Sequence, residues 1–296
     1  MNKIAFLATA ALFTFAACNS LDPGRPEPKA ITIDAAIGVP TRATTTGNSE
    51  QFNIGDKVAL YAWRGSNSSV PAQLLVNGVV NEFQADGSWK PASPMYWADM
   101  TSEHYFLGVY PARSISDFTA DSFALKADDY EASDLLVATE LSGLTASNDP
   151  VVLNFHHQMA KFQLNLNYSK EWDTAPTGTT AAASDVAVSC TIDYLSGSVS
   201  PGTKGSVALA KLATAATGST DSYSAILIPQ RGFRTVSLSV GGKTYVYTHS
   251  FDMALLSGKT TVLNLLVGRD RLELGSMTIT DWTDGDTFSG EILNEQ

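Results

Sequence analysis

Three observations predict an all-β chain built of β-sandwiches. Short apolar runs alternate with a period of two, the spacing that puts side chains on one face of a strand. Turn-forming pairs such as Asn77-Gly78, Asp86-Gly87 and Gly241-Gly242 punctuate those runs. Helical periodicity is weak throughout, and Asp252 to Ser257 is the one place where a single helical turn is expected. Many short strands separated by turns at intervals of roughly 8–12 residues are the pattern of sandwiches.

The chain opens with a targeting segment. Lys3 supplies a positive charge, and Ile4 to Ala17 is an uncharged apolar run of fourteen residues. That length suits a signal-peptide core and falls short of the roughly 20 residues of a membrane span. The run ends in Phe15-Ala16-Ala17-Cys18, which resembles the lipobox of bacterial lipoproteins, with phenylalanine where leucine is commoner. The resemblance implies that residues 1–17 are removed and that the Cys18 sulfur carries a diacylglycerol. One acyl chain binds a membrane only marginally, so an N-acylated, lipidated cysteine is what stable anchoring needs. An ordinary signal peptide cut near Ala17 would leave Cys18 free instead. Residues 18–29 hold three prolines and read as an extended tether from the lipid.

Ala30 to Pro40 is the first expected strand. Its odd positions are Ile31, Ile33, Ala35, Ile37 and Val39, and its even positions are Thr32, Asp34, Ala36, Gly38 and Pro40. One face is therefore apolar and the other is not. The polar stretch Thr41 to Gln51 follows as a linker. Val58, Leu60 and Ala62 alternate in the next strand. Leu74 to Val80 carries Asn77-Gly78, read as a hairpin turn, and Asp86-Gly87 is read as a second one between Phe83 and Trp89. Tyr105 to Tyr110 is an aromatic strand stopped by Pro111, and Phe123 to Leu125 and Leu135 to Ala138 are shorter strands.

Residues 141–150 form a polar break ending in Asp149-Pro150. A boundary there divides an N-terminal sandwich, 30–150, from a C-terminal one, 151–296. From Val151 to Met159 the apolar residues are odd-numbered, whereas Phe162, Leu164 and Leu166 are even. A change of parity inside a strand is the mark of a bulge or of a switch between sheets, here expected near His157 to Lys161. Ser169 to Ser184 and Ala213 to Asp221 read as loops. Strands follow at Val186–Ile192, Ser206–Leu212, Ser224–Ile228, Val236–Val240, Thr244–Tyr247, Thr261–Val267 and Met277–Trp282. In the stretch from Leu272 the parity shifts again between Leu274 and Met277.

Composition narrows the function. The formal net charge is −11, and no basic patch stands out, which argues against nucleic acid or anionic lipid as a partner. Cys190 is the one cysteine besides Cys18, and its strand-like surroundings predict a buried, inert thiol. His104, His156, His157 and His249 lack the spacing that sets two ligands on one helix face. His156 and His157 are neighbours in a strand and point to opposite faces. No zinc-type cysteine cluster, phosphate loop or nucleophile elbow is present in the sequence, so neither catalysis nor a cofactor is expected. Among five tryptophans, Trp63 and Trp172 lie near loops and are the candidates for a glycan-stacking platform, the alternative reading for a surface lipoprotein. Aromatics in sandwiches usually belong to the core.

Several pieces, in order along the mature chain, resemble the fimbrillin family of Bacteroidales, subunits of donor-strand (type V) pili. They are Thr41-Arg42-Ala43, Phe52-Asn53-Ile54-Gly55-Asp56, Tyr105-Phe106 leading to Val109-Tyr110-Pro111, and Asp134-Leu135-Leu136. Then come Phe155-His156-His157-Gln158-Met159-Ala160-Lys161, Ile228-Pro229-Gln230, Leu256-Ser257-Gly258-Lys259 and Ile279-Thr280-Asp281-Trp282. The resemblance implies two transthyretin-like β-sandwich domains and export to the outer membrane as a lipoprotein. It implies cleavage after an arginine by a trypsin-like protease, loss of the first strand, and filling of the groove by a strand of the next subunit. Arg42, followed by the small Ala43, stands where such a protease would act; an ordinary solvated linker arginine is the alternative.

Burying Ile31, Ile33, Ile37 and Val39 contributes ~6–12 kcal/mol in all, comparable with the whole stability of a domain. Without that strand a groove and unpaired edge groups would need a replacement, which a donated strand supplies. The donor is less legible. Met277 to Trp282 reads as an integral strand, and beyond it the short run Thr287 to Leu293 is the last strand candidate. That favours a minor or tip subunit, which need not donate a strand. Expected partners are thus other fimbrillin subunits, the outer membrane and the protease, with room for a host or bacterial surface ligand.

Overall fold

A computed structural model describes residues 28–38, 51–67, 69, 73–127 and 129–282. Cys18, Val39, Arg42, Ala43 and the run 287–293 lie outside the described residues.

The chain is all-β. Its first part contains β1 (Ile33–Ile37), β2 (Lys57–Arg64), β3 (Leu74–Phe83), β4 (Trp89–Pro91), β5 (His104–Tyr110), β6 (Asp121–Ala124), a four-residue helix α1 (Tyr130–Ser133), β7 (Leu136–Leu144) and β8 (Val151–His157). Then follow β9 (Ala160–Tyr168), β10 (Thr180–Ala187), β11 (Ser189–Asp193), β12 (Ser198–Pro201), β13 (Lys204–Lys211) and β14 (Asp221–Leu227). The last strands are β15 (Thr235–Val240), β16 (Lys243–Thr248), β17 (Lys259–Val267) and β18 (Leu272–Asp281).

These strands make three sheets. Seven strands are ordered β1-β8-β7-β5-β2-β3-β4, eight are ordered β16-β15-β10-β13-β14-β9-β17-β18, and three are ordered β12-β11-β6. The central strands β2 and β5 of the seven-stranded sheet are buried on both faces. Val58, Leu60 and Ala62 of β2 join Phe106 and Phe155 in one core, while Ala59, Tyr61 and Trp63 join Leu107 and Val109 in another. The three-stranded sheet covers that second face with Phe123, Cys190 and Ile192. A strand covered on both sides has no polar face to keep, which is why β2 and β5 read as nearly continuous apolar runs. The eight-stranded sheet has its own core around Phe162, Leu164, Tyr223, Phe233, Leu238 and Leu263.

The parity change near residue 158 is a switch between sheets: β8 ends in the seven-stranded sheet and β9 begins in the eight-stranded one. The second change is a bulge in β18. Asn264 faces Ser276 and Leu265 faces Leu274, which leaves Gly275 as the extra residue. Gly241 and Gly242, both at positive φ, turn β15 into β16, and Gly87 turns β3 into β4.

Other expectations are corrected. The sheets do not divide at 150/151. β8, with residues 151–157, is hydrogen-bonded to β1 and β7, and β11 from the second half pairs with β6 from the first and carries β12 on its other side. A polar break of sequence thus marks the β7–β8 turn, and the change of sheet falls at Gln158-Met159. Asn77-Gly78 is not a hairpin: β3 runs through it. The register with β2 slips there, with Leu60 facing Val79 and Ala62 facing Val76, and Gly78 has φ +65°. A glycine in the left-handed region serves a bulge as well as a turn. Thr180 to Ser184 belongs to β10 rather than to a loop, and Val186–Ile192 is split at Val188 between β10 and β11, while Asp185, with φ 58°, makes the irregularity inside β10. The single helical turn lies at Tyr130–Ser133, not at 252–257.

Candidate functional site

The site is the first strand and its seat. β1 is the edge of the seven-stranded sheet and runs parallel to β8, with Ile33 opposite Val151 and Ile37 opposite Phe155. The ladder extends at both ends: Val151 N–H donates to the Thr32 carbonyl at 2.8 Å, and Gly38 N–H to the Phe155 carbonyl at 2.8 Å. Before β1 the chain crosses to the far end of the same sheet. Ile31 N–H donates to the Met95 carbonyl at 2.8 Å and Trp97 N–H to the Lys29 carbonyl at 3.0 Å, and Ala30 bridges Tyr96. Eleven described residues, 28–38, therefore tie the β8 edge to the segment just beyond β4.

The side chains follow the period of two. Ile31 is 2 % exposed and Ile33 6 %, Ala35 and Ile37 are half-buried, and Thr32 and Asp34 face solvent. The isoleucines enter a core floored by Phe52, Trp89, Trp97, Phe106 and Phe155. Phe52 meets Trp89 and Phe155 edge to face, with centroids 5.0 and 5.4 Å apart. Gly108 of β5 lies under the Phe155 ring, and a Cβ there would come within 2.7 Å of it. Sequence reasoning passed over Gly108; its position inside an otherwise bulky strand was the signal for a close approach.

Gly38, with φ +73°, ends the strand. The chain is described again from Gln51, so Arg42 and Ala43 fall in the twelve residues between. The two ends of that stretch are close. Ile37, Gln51 and Phe52 line one pocket of about 250 Å³ together with Tyr110, Asp134 and His157.

Four of the sequence pieces meet beside that pocket. His157 Nδ1 is 2.8 Å from Asp134 Oδ1, and the His157 ring stacks on Trp282 with centroids 3.9 Å apart. Trp282 N–H donates to the Gly258 carbonyl at 3.0 Å, and Gly258 N–H to the Met159 carbonyl at 2.9 Å. Lys161 Nζ lies 5.7 Å from the centre of the Trp282 ring. Residues far apart in sequence thus build one seam between the sheets, and their role is packing. His156 points the other way, to solvent, as neighbours in a strand must.

The aromatic platform does not form from Trp63. It is 0 % exposed, and its indole N–H donates to the Ser66 carbonyl at 2.8 Å. Trp172 is half-buried, bonded through its indole N–H to the Val267 carbonyl at 3.0 Å, with the Arg269 guanidinium 5.8 Å from its ring centre. Cys190 is buried, and burial pushes its thiol up to about 11. Among the described residues there is no group of three or more His, Cys, Asp or Glu side chains placed to hold a metal ion, and no helix is long and apolar enough to cross a membrane.

The structure defines an all-β protein of stacked sheets whose first strand sits on an edge. A family model described as fimbrillin-like matches residues 41–282, most of the chain, and the chain belongs to that family. Among curated protein sequences none matches it. Solved structures share the fold. A candidate cell adhesion protein from Bacteroides ovatus is 16 % identical, with a TM-score of 0.67 over 88 % of this chain and 100 % of that one. Another from Bacteroides uniformis is 17 % identical, with a TM-score of 0.65 over the same shares. A fimbrial protein from Bacteroides vulgatus is 12 % identical, with a TM-score of 0.52 over 85 % of this chain and 99 % of that one.

Proposed function

We propose that this chain is a subunit of a fimbria, joined to its neighbour by exchange of the first strand. Exported as a lipoprotein through Cys18, it reaches the outer membrane, where a trypsin-like protease cuts between Arg42 and Ala43. Residues up to Arg42 then leave, and a strand from another subunit takes the place of Ile31, Ile33 and Ile37.

The observation that carries this reading is the position of β1. As the edge of the sheet it is laddered to β8 alone, so its departure breaks that one ladder together with the bonds that tie Lys29 and Ile31 to Trp97 and Met95. The cost of leaving is nevertheless large. Two fully buried isoleucines and one half-buried contribute ~4–7 kcal/mol, a sizeable share of a domain's ~5–15 kcal/mol. That lies below the ~6–12 kcal/mol the alternation alone predicts, because Ile37 stays half-buried and Val39 is outside the described residues. The vacated seat would expose apolar side chains and a row of β8 backbone groups, which an incoming extended strand matches. A minor or tip role fits β18, which is paired with β17 along its whole length and fixed at its end by Trp282.

The test is made in cells, by replacing Arg42 with alanine and sequencing the N-terminus of surface-extracted protein. The reading expects the native protein to begin at Ala43, and Arg42→Ala to keep Cys18 as its first residue and to remove the fimbriae. Undiminished polymer with Arg42→Ala would refute the processing step.

A further inference from the structure

A sheet that does not close ends in edge strands, and a bare edge invites another strand. The edges here are β1 and β4, β16 and β18, and β12 and β6. Five of the six carry an acid or a proline, residues that discourage pairing. β1 holds Asp34 and β6 holds Asp121, β18 holds Glu273 and Asp281, and the short β4 and β12 end in Pro91 and Pro201. β16, Lys-Thr-Tyr-Val-Tyr-Thr, has neither. Its one charge, Lys243, stands at the start and is drawn aside: its Nζ donates to Asp270 Oδ1 at 2.9 Å and to the Arg269 carbonyl at 3.2 Å.

The hairpin fixes which main-chain groups are bare. β16 pairs with β15, and beyond its end His249 N–H donates to the Arg234 carbonyl at 2.8 Å. Bonded pairs alternate along an antiparallel ladder, so Lys243, Tyr245 and Tyr247 are the residues that exchange bonds with β15. Thr244, Val246 and Thr248 turn their N–H and C=O groups the other way, where no described strand pairs with them. The side chains follow the same alternation. Tyr245 and Tyr247 pack on the core, whereas Thr244 and Thr248 are exposed and Val246 is 63 % exposed. Three β-branched residues in a row of bare positions suit strand pairing.

This edge is complementary to itself. A two-fold axis at Val246 sets Val246 opposite Val246 of a second copy and Thr244 opposite its Thr248. That is the one antiparallel register in which all three bare residues find bonding partners. On the inner face Tyr245 then stands opposite Tyr247 of the second copy, an aromatic cross-strand pair made twice. β16 brings no carboxylate to the join, which matters in a chain of net charge −11.

We propose that β16 is a self-docking edge, through which two copies of this chain join their eight-stranded sheets into one continuous sheet. An edge ~20 Å long covers less than the ~800 Å² per partner of a standard complex, so the dimer is weak and concentration-dependent. The edge belongs to a different sheet from β1 and does not depend on processing at Arg42.

The test traps the contact in the full chain carrying Cys18→Ser, with Cys190 left buried. Across a bonded antiparallel pair the Cα atoms are ~5.5 Å apart, a distance a disulfide spans. On oxidation Val246→Cys should form linked dimers at least tenfold faster than Ser239→Cys, an exposed position one strand further in. Thr244→Cys should link to Thr248→Cys, when the two are mixed, at least tenfold faster than either links to itself. Equal rates at Val246 and Ser239, or self-linking of Thr244→Cys as fast as the mixed pair, overturns the proposal. A second measurement is sedimentation at millimolar protein. The chain with β16 intact should dimerise, and Val246→Asp, which sets two carboxylates opposite each other, should leave a folded monomer. An intact β16 that stays monomeric, or a dimer that survives Val246→Asp, contradicts it.

Discussion

Ile31 and Ile33 are small targets with large expected effects. Each is buried in a core of interlocking rings, so replacing either with alanine should cost ~2–5 kcal/mol in urea unfolding of the precursor. Val152 is the control: it stands on β8 between two buried residues but is 53 % exposed, so Val152→Ala should change stability by less than ~1 kcal/mol. Equal effects at Ile33 and Val152 would deny β1 a seat. Cys190 gives a prediction in pH. Its thiol is raised by burial to about 11, so thiolate is scarce below that value. The folded protein should leave Cys190 unmodified by a thiol reagent at pH 8, and unfolding should expose it; rapid labelling of native protein would contradict this. These residues were legible because alternation assigns a face to each position, and β1 keeps one face in water. The His157–Trp282 stack was not legible, because nothing in a linear pattern says that two fragments 125 positions apart share a seam.

Among the elements, strands that obey a single period could be placed from sequence, and strands with irregularities needed the parity argument. That argument located the passage from β8 to β9 and the extra Gly275 in β18. It was not applied to Asn77-Gly78, where a pair that favours tight turns sits inside a strand. The physical difference is that the β3–β4 turn already occurs at Asp86-Gly87, so a turn at 77–78 would leave β2 without its partner. Gly78 is held there twice over, by its φ of +65° and by the Tyr61 hydroxyl 2.9 Å from where a Cβ would lie. Tyr61 is itself fixed, donating to the Arg113 carbonyl at 2.8 Å and accepting from Ile115 N–H at 2.9 Å. Gly78→Val should therefore destabilise the protein by ~2 kcal/mol or more, read as a lower urea midpoint. An unchanged midpoint would mean that the bulge is not required.

For the whole molecule, the two halves of the sequence do not fold as separate halves. β11 and β12 complete the first sandwich, and Met159, Ile226, Ile228 and Trp282 enter the core beneath the seven-stranded sheet. A boundary drawn at a polar break could not reveal this, because pairing across more than sixty residues leaves no local mark. In the proposed exchange, this interleaving lets the second sandwich brace the first once its edge strand leaves. Strand loss should accordingly open one sheet and spare the other. The most direct measurement is amide hydrogen exchange on the purified precursor before and after trypsin cleavage at Arg42 and removal of the released peptide. The account predicts lost protection along β8 and at Met95 to Trp97, with β9, β14 and β17 unchanged. Retained protection along β8 after the peptide has gone, or uniform loss in both sheets, would contradict it.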